Sequence, residues 1–159
     1  MSKITLTVEA VRAIWYGFLR ILVQPLFCTL LKYRAFGREH VPRKSGVLIV
    51  SNHQSYMDPL LIGMGLARQV HFMARSSLFY KSTPFRWLIL SLNAFPLKDE
   101  GRDPGAIKEA IRRIKGGNIV LIFPEGTRTH DGSIGEIHPG IEVIAHRTGL
   151  PVVPAVIQG

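Results

Sequence analysis

Apolar positions change rhythm along this chain. Over residues 5–35 they recur at helical spacing, as Val8, Val11, Ala13, Ile14, Trp15, Phe18, Leu19, Ile21 and Leu22, then Leu26, Phe27, Leu30 and Leu31. The 19 residues between Arg12 and Lys32 approach the length of a membrane span, but Arg20, Gln24 and Pro25 interrupt them. A central arginine costs about 2.5–3.5 kcal/mol on insertion scales, and a proline inside a helix removes a hydrogen bond and kinks it. The expectation is two short helices lying in a membrane interface, with Trp15 and Tyr16 at headgroup depth. A true span and a helical pair packed on the core remain as alternatives.

Beyond residue 35 the runs shorten. Ala35-Phe36-Gly37 reads as a short strand before a turn. Val47–Ser51 is apolar on consecutive positions, as a strand covered on both faces should be. Asp58-Pro59 has the signature of a helix start, Asp at N-cap and Pro at N1. Val70–Ala74 is a second strand, and Ser76–Leu92 holds two helical pieces broken at Thr83-Pro84. Ala94–Leu97 carries Pro96, which suits an edge strand. Asp103-Pro104 opens a helix with Ile107, Ala110, Ile111 and Ile114 on one face and Gly116-Gly117 at its end. Ile119–Phe123 is a third core strand, Pro139–Thr148 a helix stopped by Gly149, and Val152–Ile157 the last strand. Strands alternating with helices predict an α/β domain, with a largely parallel or mixed central sheet and helices on both faces. The loops after strands, 52–58, 98–103 and 124–131, are then the places for chemistry.

Composition narrows the class. At 159 residues and 47% hydrophobic with 19% charged, the chain suits one domain with a real core and is not a disordered polar chain. The net charge of +9 points to an anionic partner. Residues 1–44 carry eight Lys/Arg against Glu9 and Glu39, so six of the nine excess charges lie in the most apolar part. Basic and strongly apolar together favour an anionic membrane surface over nucleic acid, for which no reader motif is present. Cys28 is the single cysteine, which excludes an internal disulfide and fits a reducing compartment. No cleavable signal-peptide pattern, internal repeat or low-complexity tract is visible.

Three segments offer chemistry. His53, with Asp58 five residues on, can act as a base whose tautomer a carboxylate fixes; equally, the histidine can be structural and Asp58 a cap. Phe123-Pro124-Glu125-Gly126-Thr127-Arg128 places a carboxylate, a glycine, a hydroxyl and a guanidinium after a buried strand. Arginine suits bidentate capture of phosphate, although a solvated turn reads the same way locally. In Phe95–Asp103, Lys98 and Arg102 could reach an anion, or the segment is a plain polar loop.

Taken together and in order, these segments resemble the glycerolipid acyltransferase family typified by 1-acylglycerol-3-phosphate acyltransferases. Its Asn-His-x-Ser-x-x-Asp block stands as Asn52-His53-Gln54-Ser55-Tyr56-Met57-Asp58. Its Phe-Pro-Glu-Gly-Thr-Arg block stands unaltered at Phe123–Arg128, and its proline-flanked apolar strand matches Leu150–Val156. The resemblance spans roughly Phe36 to Gly159. It implies an N-terminal membrane-associating segment (1–35) and an acyltransferase domain (36–159). It also implies that His53 is a general base oriented by Asp58, acting on the free hydroxyl of a lysophospholipid. That hydroxyl attacks the thioester of acyl-CoA or an acyl-carrier protein directly, without acyl-enzyme, metal or bound cofactor. Glu125, Gly126, Thr127 and Arg128 are the implied acceptor-binding group, with Lys98 or Arg102 as a second phosphate contact. Membrane lipids, the acceptor and the acyl thioester donor are the implied partners, with no nucleic acid, and the cytoplasmic face of a membrane is the implied location, peripheral or monotopic.

The chain departs from the family pattern at four places. Asn93 stands where a glycine is usual, Lys98-Asp99 at the usual basic spot, Arg75 where a lysine is common, and His138 where a lysine is frequent. Relatives usually continue beyond the last block, so a missing C-terminal part is expected. Two alternatives follow: the same chemistry on another lysophospholipid, glycerol-3-phosphate or a lyso-aminolipid, and a non-catalytic lipid-binding or membrane-remodelling protein.

Overall fold

The computed structural model describes residues 3–98, 103–129 and 132–159, with side chains at residues 10, 11 and 13 onwards. Ten regular elements follow in order: α1 (Lys3–Leu30), β1 (Val47–Ser51), α2 (Asp58–Gly65), β2 (Val70–Arg75), α3 (Thr83–Ser91), β3 (Phe95–Leu97), α4 (Pro104–Lys115), β4 (Ile119–Ile122), α5 (Gly140–Thr148) and β5 (Val152–Ala155). Short 3-10 turns cover Arg38–His40 and Ser76–Tyr80. The strands form one sheet in the order β3-β2-β4-β1-β5, and every pairing is parallel. This is the expected α/β architecture, with β3 at an edge where Pro96 costs no ladder bond.

Burial explains the consecutive apolar runs. β1 and β4 lie inside the sheet, and both faces of each are covered. Leu48, Val120 and Ile122 meet Ala110 and Ile114 of α4 and Ile144 of α5 on one side. Val47, Ile49, Ile119 and Leu121 meet Leu66 and Ile62 on the other. Asp103 caps α4, accepting from Gly105 N–H (2.8 Å) and Ala106 N–H (3.2 Å), while its second oxygen accepts from Lys98 N–H (2.8 Å). The Lys98 amide above all, with those of Ala106 and Gly105, holds the Asp103 carboxyl below the ordinary carboxylate range.

Three expectations are corrected. The N-terminal segment is one continuous helix through Pro25, not two. A proline forfeits one backbone bond, but an unbroken register keeps Trp15, Tyr16, Leu19, Val23 and Phe27 on one stripe against the domain. Trp15 meets Trp87 of α3 edge-on at 5.3 Å between centroids. Beyond the helix, Tyr33 O–H donates to Leu61 O (2.7 Å). Second, Ala35-Phe36-Gly37 forms no strand, and Gly37, in the left-handed region at φ 72°, enters the 3-10 turn instead. Third, Asp58 is not the N-cap of α2: Met57 holds that position, and the Asp58 carboxylate turns back toward the preceding loop.

Candidate active site

All strands run the same way, so the loops leaving β1, β2, β3 and β4 share one edge of the sheet. The loop after β1 carries His53. Its Nδ1 lies 2.7 Å from Oδ2 of Asp58. The same Oδ2 accepts the backbone N–H groups of Gln54 (2.7 Å) and Ser55 (2.8 Å), and Asp58 is 1% exposed. A carboxylate is acceptor-only, so Nδ1 carries the proton of this contact and Nε2 is left as the basic nitrogen. Asp58 tightens the loop that presents the imidazole, and its other oxygen, Oδ1, is buried with no partner among the described residues.

The loop after β4 grips the same histidine. Phe123 stacks on the imidazole at 4.0 Å between centroids and 18° between planes. Glu125 accepts from His53 N–H through Oε1 (3.0 Å), and Thr129 N–H donates to His53 O (2.9 Å). Gly126 turns the chain at φ 64°, and the His138 ring sits where a Cβ on Gly126 would come within 3.0 Å. Arg75, at the end of β2, donates to Gly126 O (3.1 Å). The Arg128 guanidinium lies 3.7 Å over the Tyr56 ring, which ties the two loops together. A cation–ring contact of this kind uses none of the guanidinium's hydrogen-bond donors.

Asn52 clamps the start of the histidine loop to the chain beyond β5, donating from Nδ2 to Ile157 O (2.9 Å) and accepting from Ile157 N–H at Oδ1 (2.8 Å). Of the residues singled out by sequence, the structure joins His53, Asp58, Glu125 and Arg128, with Gly126 and exposed Thr127 in the same turn. Lys98 is exposed one residue past β3, two strands from β4, with its backbone N–H engaged by Asp103. Arg102 lies outside the described residues. Tyr56 and Phe123 stood inside the two blocks but carried no signal of their own, and the clamp by Asn52 depends on a residue 105 positions away. Asn93 accounts for one departure: its φ is 64°, a left-handed conformation that favours the glycine usual there and that asparagine adopts more readily than most other residues. No group of three or more His, Cys, Asp or Glu among the described residues could hold a metal ion.

The site is thus a histidine–carboxylate pair displayed at the carboxyl edge of a parallel α/β sheet, flanked by an arginine-bearing turn. The Acyltransferase family model matches residues 32–158, and the chain belongs to that family. It is 35% identical over 130 residues to 1-acyl-sn-glycerol-3-phosphate acyltransferase of Bacillus subtilis (strain 168), covering 79% of this chain and 62% of that protein. It is 32% identical over 126 residues to a chloroplastic 1-acyl-sn-glycerol-3-phosphate acyltransferase of Brassica napus, covering 77% of this chain and 36% of that one. The chain therefore spans less than two thirds of these relatives. In structure it is similar to the 1-acyl-sn-glycerophosphate (LPA) acyltransferase PlsC of Thermotoga maritima, with a TM-score of 0.70 and 29% identity over 92% of this chain and 58% of that one.

Proposed function

We propose that this protein moves a fatty acyl group from an acyl thioester to the free hydroxyl of 1-acylglycerol-3-phosphate, giving phosphatidate. The observation that carries the reading is the 2.7 Å contact between His53 Nδ1 and the buried Asp58 carboxylate, beside the turn that bears Arg128. His53 Nε2 takes the hydroxyl proton as the oxygen attacks the thioester carbonyl. The tetrahedral intermediate then collapses, the C–S bond breaks, and the leaving thiolate recovers the proton from the imidazolium. Asp58 stabilises that imidazolium while it exists. Arg128 pairs with the acceptor phosphate, held in place by Tyr56. The donor is acyl-CoA or an acyl-carrier protein, and Lys98 and Arg102 are candidate second anion contacts.

The test is an assay of the full chain in mixed vesicles with labelled acyl-CoA or acyl-carrier protein. Lysophosphatidate is compared with other lysophospholipids, glycerol-3-phosphate and a lyso-aminolipid. Lysophosphatidate should be the best acceptor; a better turnover with any other would reassign the substrate, and no transfer to any of them would leave a lipid-binding role. Arg128→Gln should raise the KM for lysophosphatidate about 10–100-fold with little change in kcat, the equivalent of losing one charged hydrogen-bonding contact. An unchanged KM would remove Arg128 from the phosphate site.

We further infer that α1 lies in the membrane interface at the cytoplasmic face. The window Ala13–Leu30 has a mean hydropathy of 1.4, long and apolar enough to cross a membrane by length and composition. Yet one side of the helix packs on the domain through Trp15, while Ile14 (74% exposed), Ile21 (75%) and Leu30 (71%) face outward. A helix lying flat on its own domain offers an apolar stripe to a membrane surface, from which a lipid substrate must arrive. Ile14→Glu with Ile21→Glu should lower recovery on anionic vesicles by about tenfold or more, since each buried isoleucine contributes roughly 1.5–3 kcal/mol. Undiminished flotation of the double variant would argue against the interface reading.

A further inference from the structure

We propose that Glu125 is a positioning residue that holds His53 in place, and that it makes no contact with the acceptor. The inference rests on the acyl-transfer reading and assigns this residue a different job from its neighbours in the turn. Oε1 accepts from His53 N–H at 3.0 Å and Oε2 from Gly135 N–H at 2.9 Å, in a side chain only 4% exposed. One carboxylate thus joins three segments: the loop after β1, the turn after β4, and the run leading toward α5. With Glu125 on the His53 N–H, Thr129 on its carbonyl and Phe123 on its ring, the 123–129 turn holds the histidine by both backbone polar groups and one ring face.

The chemistry of the residue supports the assignment. An anionic acceptor phosphate is repelled by a carboxylate, and a buried carboxylate already turned to two amide donors has little reason to reorient toward a ligand. Two N–H groups aimed at two oxygens also call for a carboxylate rather than an amide, because glutamine would set its NH2 against one of the donors. Gly135 completes the arrangement. A Cβ there would lie 3.1 Å from Oε2 and 3.6 Å from Thr129 Cγ2, so any larger residue presses on the tether.

Glu125→Gln tests this in the full chain, with kcat and acceptor KM measured alongside amide hydrogen exchange at His53 and Gly135. The expected result is a kcat lowered about 100-fold, as for an ångström-scale misplacement of a catalytic group, with faster exchange at one or both amides. Acceptor KM should stay within about twofold, because no uniform binding contact is removed. A raised acceptor KM with kcat retained would mean that Glu125 binds the acceptor, and unchanged exchange with unchanged kcat would mean that there is no tether; either overturns the proposal. Should Glu125→Gln not fold, Glu125→Asp carries the same test, because a carboxylate one methylene shorter does not span both amides, and a folded variant with wild-type kcat and unchanged exchange at His53 and Gly135 overturns it. An inactive wild type would instead count against the acyl-transfer reading, while the exchange rates still decide the tether.

Discussion

His53→Ala should lower acyl transfer by about 10²–10⁴-fold, the range general-base help contributes, while the protein stays folded and bound to vesicles. The fold should survive because the ring is not what ties the loop down. The His53 backbone N–H and carbonyl are bonded to Glu125 and to the Thr129 amide, and both bonds persist when the imidazole is gone. What is lost is the stacking on Phe123 and the basic nitrogen. The measurement is kcat/KM for labelled acyl transfer to lysophosphatidate, with circular dichroism and flotation as controls. Turnover retained within about threefold of wild type would sink the assignment of His53 as base.

Asp58→Asn should cost about 10²–10³-fold in kcat/KM, and for a narrower reason. In general an asparagine at this place can flip and impose the wrong tautomer on its histidine. Here the N–H groups of Gln54 and Ser55 point at the Oδ2 position and select the amide oxygen for it. The amide NH2 then takes the Oδ1 position, which has no partner among the described residues. Orientation and tautomer are kept, and only the negative charge beside the forming imidazolium disappears. At an effective dielectric constant near 20 two unit charges about 4 Å apart interact by roughly 4 kcal/mol, which sets the upper end of that range. Asp58→Ala should be worse, because the buried amides of Gln54 and Ser55 lose their acceptor at about 1–3 kcal/mol each. An Asn variant within about threefold of wild type would mean that orientation, not charge, is what Asp58 supplies.

Much of the fold was legible because it depends on short-range pattern. A strand covered on both faces must be apolar at successive positions, and residues 47–50 and Ile119–Ile122 are. A helix with one buried face must repeat near every fourth residue, and Ala106, Ala110 and Ile114 do. Helix ends announced themselves where the signal is a side-chain preference: Asp103 caps α4, and Gly149 closes α5 at φ 59°. The same local reasoning misjudged Pro25 and Asp58. A proline's cost is set against packing that sequence does not display, here the continuous stripe of α1 on α2 and α3. A carboxylate before a proline can face forward to its helix or back to its loop, and the histidine five residues earlier, brought to 2.7 Å, drew it back.

For the site, the residues alone determined which chemical groups exist and in what order: an imidazole with a nearby carboxylate, then a turn bearing Glu125 and Arg128 some seventy residues on. Spacing could bring His53 and Asp58 together, since five residues of one loop span that gap. It could not say that Glu125 accepts from the His53 N–H, that Tyr56 lies under Arg128, or that Asn52 holds Ile157. Those contacts join segments tens of residues apart, and they arise only because a parallel sheet with β4 beside β1 delivers both loops to one edge. Register across that pair is decided by burial of whole strands, a property of the folded core and not of either loop.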